Sequence, residues 1–254
     1  MPKFSANLGF LWSELDLSDA VRVAKKAGFY AVECHWPYDT DADVLRAALE
    51  ETNLQMLGIN TRRGNVEAGE NGLSASPGRA DEATNAIDEA LEYAVAIKAH
   101  NIHVMAGNAE GTKAHDTFLE NLTYACANAA QHGITILIEP LNSHDAPDYF
   151  LRNQAQALEI IDEVSAENLK LMFDCYHVGQ TEGDVSAWLR RAWPHIGHIQ
   201  FASVPDRGTP DHGAIDYPAL FKEIDVLGWQ GTLGAEYKPN GNTEETLNWL
   251  QAYI

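Results

Sequence analysis

Apolar positions along this chain follow two alternating rhythms. Short runs that are almost wholly apolar and rich in β-branched residues give way to longer stretches with apolar positions three and four apart, which marks strand followed by helix. The clearest short run is Gly133–Leu141 (GITILIEPL). It is too short for a buried helix and reads as a strand covered on both faces, with Glu139 at its carboxyl end and Pro140 stopping the ladder. Leu169–Asp174, His195–Gln200 and Gly231–Glu236 repeat the arrangement, each ending on an oxygen-bearing side chain.

Taken in order, strands are predicted at Phe4–Leu8, Phe29–Cys34, Leu54–Asn60 and Ile102–Met105, then in the four runs above, with the third of these covering Ile196–Phe201. Helical spacing covers Asp16–Ala27, with Gly28 as its C-cap, and then Asp41–Glu51, Asp81–Lys98, Lys113–His132 and Asn153–Glu163. It returns at Asp184–Ala192, Tyr217–Leu227 and Thr243–Tyr253. Two polar loops stand out, Thr61–Arg79 and Ala202–Gly213, and the first is long enough to suggest a lid. Alternating strands and helices imply a parallel sheet. Eight such units in 254 residues predict an α/β fold, a single (β/α)8 TIM barrel spanning residues 1–254. An open doubly wound sheet lacks support, since no G-x-G-x-x-G follows the first strand.

Charge narrows the function. A formal net charge of −20 argues against nucleic acid or an anionic membrane as partner, since both call for a basic face. No run approaches the ~18 apolar residues of a membrane span. The N-terminal segment enters a strand directly and has no apolar signal core. Cys34, Cys126 and Cys175 are odd in number and form no C-x-x-C pair, so they read as reduced thiols of a cytoplasmic protein. A homo-oligomer is compatible with the sequence.

The strand ends carry the candidate chemistry. Glu139, Asp174, Gln200 and Glu236 lie 35, 26 and 36 residues apart, each interval about one strand–helix unit. In a barrel, residues at the carboxyl ends of strands meet over one mouth. Three carboxylates there would repel one another unless a cation sat among them, and four oxygen donors without a thiolate describe a hard divalent ion, Mg2+ or Mn2+. The alternative, that each residue merely caps a helix or meets a local Arg, does not explain four equivalent positions. His177, three residues past Asp174 on the loop leaving its strand, could bond a substrate hydroxyl or orient a carboxylate. His198 shares the inward face of Gln200 and reads as a satisfied core residue, whereas His100, His103, His115, His132 and His195 read as surface or packing residues. Arg62, Arg63, Arg79, Arg207 and Lys238 fall on loops that open onto the same mouth, a rim that would draw in a small anion. Trp12, Trp36 and Tyr38 are candidate walls.

At these residues the chain resembles the hydroxypyruvate isomerase family of the xylose isomerase-like barrels. The matching stretches are Phe4–Leu8, Trp36–Tyr38, Glu67–Glu70 with Pro77–Arg79, Ile138–Pro140, Asp174–His177, Gly197–Gln200, Arg207–Gly208 and Glu236–Pro239, an ordered set over almost the whole chain. The resemblance implies that Glu139 and Glu236 are an acid–base pair, that Asp174 and Gln200 complete a metal site with them, and that His177 and Arg207 bind substrate. Two departures touch substrate fit. Gly58–Asn60 lacks the His that relatives often carry just before Asn60, and Arg62-Arg63 stand where Pro and small residues are more usual. The implied reaction is a metal-assisted 1,2 proton shift in a small hydroxy-oxo acid, interconverting hydroxypyruvate and tartronate semialdehyde. Arg207, aided by Arg62 or Lys238, would grip the carboxylate. The rivals are a 2-oxo-tetronate isomerase, a ketose 3-epimerase, and a non-catalytic binder of small acids or sugars.

Overall fold

A computed structural model describes residues 2–253. Nine parallel strands are present among them: β1 (Lys3–Asn7), β2 (Ala31–Glu33), β3 (Gln55–Met56), β4 (Gly58–Asn60), β5 (Asn101–His103), β6 (Thr135–Ile138), β7 (Leu169–Asp174), β8 (Ile196–Phe201) and β9 (Thr232–Ala235). They form one sheet in the order β3-β2-β1-β9-β8-β7-β6-β5-β4. The two ends of that order are halves of one strand broken at Leu57. Leu57 N–H donates to Val32 O (2.7 Å) and Cys34 N–H to Gly58 O (3.1 Å), so backbone bonds on both sides of the break close the ring. The predicted eight-stave barrel is therefore present, with its third stave in two pieces.

The helices wrap the outside: α1 (Leu17–Ala27), α2 (Ala42–Thr52), α3 (Ala80–Ile97), α4 (Gly111–Ala130), α5 (Gln154–Val164), α6 (Cys175–Thr181), α7 (Val185–Ala192) and α8 (Tyr217–Leu227). Side-chain oxygens of Asp41, Asn153, Asp184 and Asp216 accept backbone N–H groups at the starts of α2, α5, α7 and α8, which places those boundaries. Two expectations change. Thr243–Ala252 forms a 3₁₀ helix rather than an α-helix. His177 lies on α6, not on a loop, because the Asp174 side chain accepts from Tyr176 N–H and starts a helix directly at the strand end. Among the described residues, no helix is long and apolar enough to cross a membrane.

Strand alternation decides what enters the barrel. Phe4 on β1 faces outward and meets Phe201, Phe221, Trp249 and Tyr253 edge-on at centroid distances of 5.1–5.6 Å, tying the C-terminal 3₁₀ helix to the barrel wall. Ser5 and Asn7 face inward, where Ser5 Oγ donates to Glu33 and Asn7 Nδ2 to Glu236. A register shift between Leu171 and Met172 in β7 brings Asp174 level with Gln200, and Gln200 pairs in turn with Gly234. That glycine leaves the interior open, because a Cβ there would stand 2.3 Å from Glu33 Oε1.

Candidate active site

Four strand ends deliver their oxygens to one buried cluster. Glu139 follows β6, Asp174 ends β7, Gln200 lies on β8 and Glu236 follows β9, and all four are buried. Asp174 Oδ1 is used by Tyr176 N–H, leaving Oδ2 without a partner. Gln200 Nε2 donates to Glu33 Oε2 at 2.8 Å, which turns its unpartnered Oε1 the other way. Glu139 Oε1 is likewise buried and unpartnered. Three orphaned oxygens from neighbouring staves are what a hard cation would satisfy, and one oxygen each of Glu139 and Asp174 lies within 4.8 Å of the other and of His177. The donor set fits a divalent ion.

His177 is better placed as a donor than as a ligand. Asn142 Oδ1 accepts from the N–H groups of His144 and Asp145, so the amide nitrogen of Asn142 must face His177 Nδ1 at 2.7 Å. Asn142 N–H donates to the same Nδ1 at 3.0 Å. A ring nitrogen that receives two donors carries no hydrogen, so the proton sits on Nε2, 3.7 Å from Asp174 Oδ2 and 3.9 Å from Glu139 Oε1. Burial and the nearby Arg207 hold the ring neutral, with its pKa lowered to about 3.

The two glutamates differ in proton affinity. Burial, Glu236 and Asp174 push Glu139 well above the usual carboxylate range. Burial pushes Glu236 up as well, but Arg207 and His35 outweigh it and hold it at about 2. Glu236 accepts from Asn7 Nδ2 (2.7 Å), His35 Nε2 (3.1 Å) and Arg207 Nη2 (2.5 Å). Asp174 is raised to about 7 by burial and Glu236. Arg207 also lies 3.6 Å from Asp174 and 3.7 Å from Asp145, and its buried Nε–H has no partner. It adopts a left-handed backbone (φ 55°), the kind of strain that functional loops retain.

A cavity of about 180 Å3 opens onto the cluster. Phe10, Trp36, Asn60, His103, His177 and Arg207 are among its walls, together with both glutamates. Asn60, a candidate substrate-binding residue, lines the pocket, with its carbonyl accepting from Tyr38 OH (2.5 Å). The Lys238 side chain is exposed and outside the lining; its backbone N–H bonds Arg207 O instead. Trp12 is a packing residue, fully buried with its indole on Glu244. His198 is the expected core histidine, and its Nε2 meets Glu33 at 2.9 Å.

Sequence reasoning missed three residues. Glu33 ends β2 much as Asp174 ends β7, and its inward oxygens accept from Ser5, His198 and Gln200. His35 reaches Glu236 because Gly9 makes room for its ring; a Cβ there would stand 2.1 Å from Nδ1. His103 was expected to be surface or packing. It is instead buried at the pocket with both ring nitrogens unpartnered, and its Nδ1 is 3.5 Å from Glu139 Oε2. Burial lowers its pKa to about 4.

Known proteins share this arrangement of chain. Residues 21–253 match the family described as xylose isomerase-like TIM barrel. A 2-oxo-tetronate isomerase of Cupriavidus necator is 45% identical over 100% of this chain and 99% of its own. The hydroxypyruvate isomerase of Escherichia coli is 37% identical over the full length of both. Among solved structures, a Brucella melitensis chain named AP endonuclease, family 2 superposes with a TM-score of 0.96 at 39% identity, over 100% of this chain and 99% of that one. A D-allulose 3-epimerase from a Methylomonas species, covering 100% of this chain and 91% of its own, reaches 0.76 at 19% identity and shares the fold. Barrel, strand-end cluster and full-length matches agree: this chain belongs to the xylose isomerase-like TIM barrel family.

Proposed function

We propose that this protein is an isomerase of small hydroxy-oxo acids, converting hydroxypyruvate to tartronate semialdehyde by a proton shift between adjacent carbons. The observation that carries the reading is the pair Glu139 and Glu236, both buried at strand ends and both lining one small cavity. Two carboxyl groups on one cavity can serve as acid and base for a single bound substrate. Full-length relatives named as isomerases support the class. The small cavity suits a three- or four-carbon acid, being below the ~300–1,000 Å3 of most ligand pockets.

Glu236 is ionised and takes the proton from the hydroxyl-bearing carbon. Glu139 delivers a proton to the neighbouring carbon, the hydroxyl proton passes between the two substrate oxygens, and the proton gained by Glu236 returns to Glu139 before the next turnover. His177 Nε2–H and the open Arg207 Nε–H are donors for those oxygens as charge develops. Glu139, Asp174 and Gln200, with Glu236 beside them, would hold Mg2+ or Mn2+, which when bound supplies electrostatic stabilisation to the carbonyl oxygen. A C–H beside a carbonyl is too weakly acidic for a carboxylate alone, so this support matters. Three buried free thiols suit a reducing cytoplasm.

A second reading stays within the class. The 45% identity to a 2-oxo-tetronate isomerase favours a four-carbon acid handled by the same residues. The test is incubation with each acid in D2O, with and without a chelator, following deuterium at carbon and aldehyde formation. Exchange with product is expected, and Glu236→Gln should lower turnover by at least ~10²-fold. Full turnover in that variant would refute the assignment, and scrambling of a hexulose instead would mark an epimerase.

A further inference from the structure

Charge in the pocket does not balance for an anionic substrate. Arg207 is the only Arg or Lys among the lining residues, and Glu236, Asp174 and Asp145 already share it. Its free Nε–H offers a hydrogen bond but no surplus charge. Even with a divalent ion on the strand-end cluster, the carboxylates of Glu139, Asp145, Asp174 and Glu236 take up its charge and that of Arg207, so burying a substrate carboxylate there without a further cation is costly.

The rim cations differ in how far they are engaged. Arg62 makes a two-pronged pair with Glu89, at 2.6 and 3.0 Å. Arg79 is held by Glu70 and Glu82. Lys238 is exposed and is not one of the pocket walls. Arg63 has no carboxylate partner among the described residues, and its guanidinium carbon sits 4.0 Å from the centre of the Trp36 ring. Trp36 is a pocket wall. The stack is anchored on both sides, since Trp36 Nε1–H donates to Thr61 O (3.1 Å) and Gly72 N–H donates to Arg63 O (2.9 Å). A guanidinium held over an aromatic face by its π-system can still offer N–H groups to a carboxylate.

We propose that Arg63 determines substrate specificity by taking the carboxylate of the hydroxy-oxo acid, with the pocket wall Trp36 holding the guanidinium beside the cavity. This rests on the isomerase reading above. Arg207, hydrogen-bonded to Glu236, then serves the reacting end of the substrate, and the two arginines divide recognition from chemistry. The unusual Arg62-Arg63 pair separates into one structural member, bound to Glu89, and one functional member.

The test uses the whole protein and its Arg63→Gln and Arg63→Lys variants. Titration calorimetry follows tartronate, an acid that cannot isomerise, and steady-state kinetics follow hydroxypyruvate and the four-carbon acid. Inhibition by dihydroxyacetone serves as a neutral control. Arg63→Gln should raise the tartronate Kd and the substrate KM by about 10- to 100-fold, the range for loss of a charge-assisted hydrogen bond, with kcat changed little. Arg63→Lys should recover part of the loss, and dihydroxyacetone inhibition should stay constant. Unchanged KM and Kd in Arg63→Gln would overturn the inference while leaving the isomerase intact. Equal weakening of acid and neutral ligand would overturn it too, by marking Arg63 as structural. Tartronate binding that depends on Arg63 in a protein without isomerase activity would support the carboxylate site and refute the catalytic reading instead.

Discussion

Glu33 gives the sharpest stability test of the barrel interior. Its carboxylate is buried and accepts three hydrogen bonds: Ser5 Oγ at 2.9 Å on Oε1, and His198 Nε2 at 2.9 Å and Gln200 Nε2 at 2.8 Å on Oε2. Glu33→Ala strands two buried nitrogen donors, one of them on the histidine that pairs with it. Removing one partner of a buried pair typically costs about 3–5 kcal/mol. Gln200 keeps a fallback, a longer bond to Glu236 Oε1 at 3.3 Å, which argues for the lower half of that range. Glu33→Gln should cost less, about 2 kcal/mol, because each of two bonds drops from charge-assisted to neutral strength. Its amide oxygen can still face His198 and Gln200, while its NH2 donates to Ser5 Oγ. Denaturant unfolding monitored by tryptophan fluorescence measures both variants. The reasoning fails if Glu33→Ala loses under ~1 kcal/mol, the net worth of a single ordinary hydrogen bond, or if Gln is as damaging as Ala.

Phe4→Ala should lose about 3–5 kcal/mol, as large aromatic deletions do, and expose the C-terminal 3₁₀ helix to limited proteolysis near Trp249 before the barrel is cut. On the loop that carries Arg207, hydrogen bonds from Ser203 and His212 outweigh burial and hold Asp206 at about 2, so its stabilisation is present above the ordinary aspartate range and lost as pH falls toward 2. Asp206→Asn should flatten the acid limb of the stability profile. His212 is raised by Asp206 and Asp211, so its contribution is full below about pH 6.5 and disappears as pH rises through the raised value. His212→Gln should therefore destabilise more at pH 6 than at pH 9, and equal effects at both would reject the pairing. Nitrogen NMR of His177 should report a protonated Nε2 and a bare Nδ1; the opposite tautomer would remove it as a donor to the pocket.

Much of the fold was legible because buried parallel strands and amphipathic helices write different periods, and eight of each recur along the chain. What escaped the pattern depends on contacts rather than on period. α6 begins because Asp174 turns one oxygen back to Tyr176 N–H, a local bond that a strand-ending aspartate does not announce. The C-terminal segment Thr243–Ala252 winds as 3₁₀ where an apolar spacing of three or four suits either helix. The break at Leu57 reflects barrel closure, where one residue bonds across to β2 while its neighbours bridge to β5.

The candidate site was legible only as far as position could carry it. Glu139, Asp174, Gln200 and Glu236 were found because they share a place at successive strand ends, and Glu33 was missed although it ends β2 with the same inward geometry. Position alone could not tell the two glutamates apart. Glu236 is held ionised by Asn7, His35 and Arg207, which lie 229, 201 and 29 residues away in sequence. Glu139 has only the unpaired His103 beside Oε2 and no hydrogen bond on Oε1. The same contact logic separates the arginines: Arg62 finds Glu89 27 residues on, whereas its neighbour Arg63 finds an aromatic face and no carboxylate. The proposed acid and base, like the proposed structural and recognition arginines, are chemically identical pairs in the chain. What tells the members of each pair apart is the partners that only closure of the barrel brings within reach.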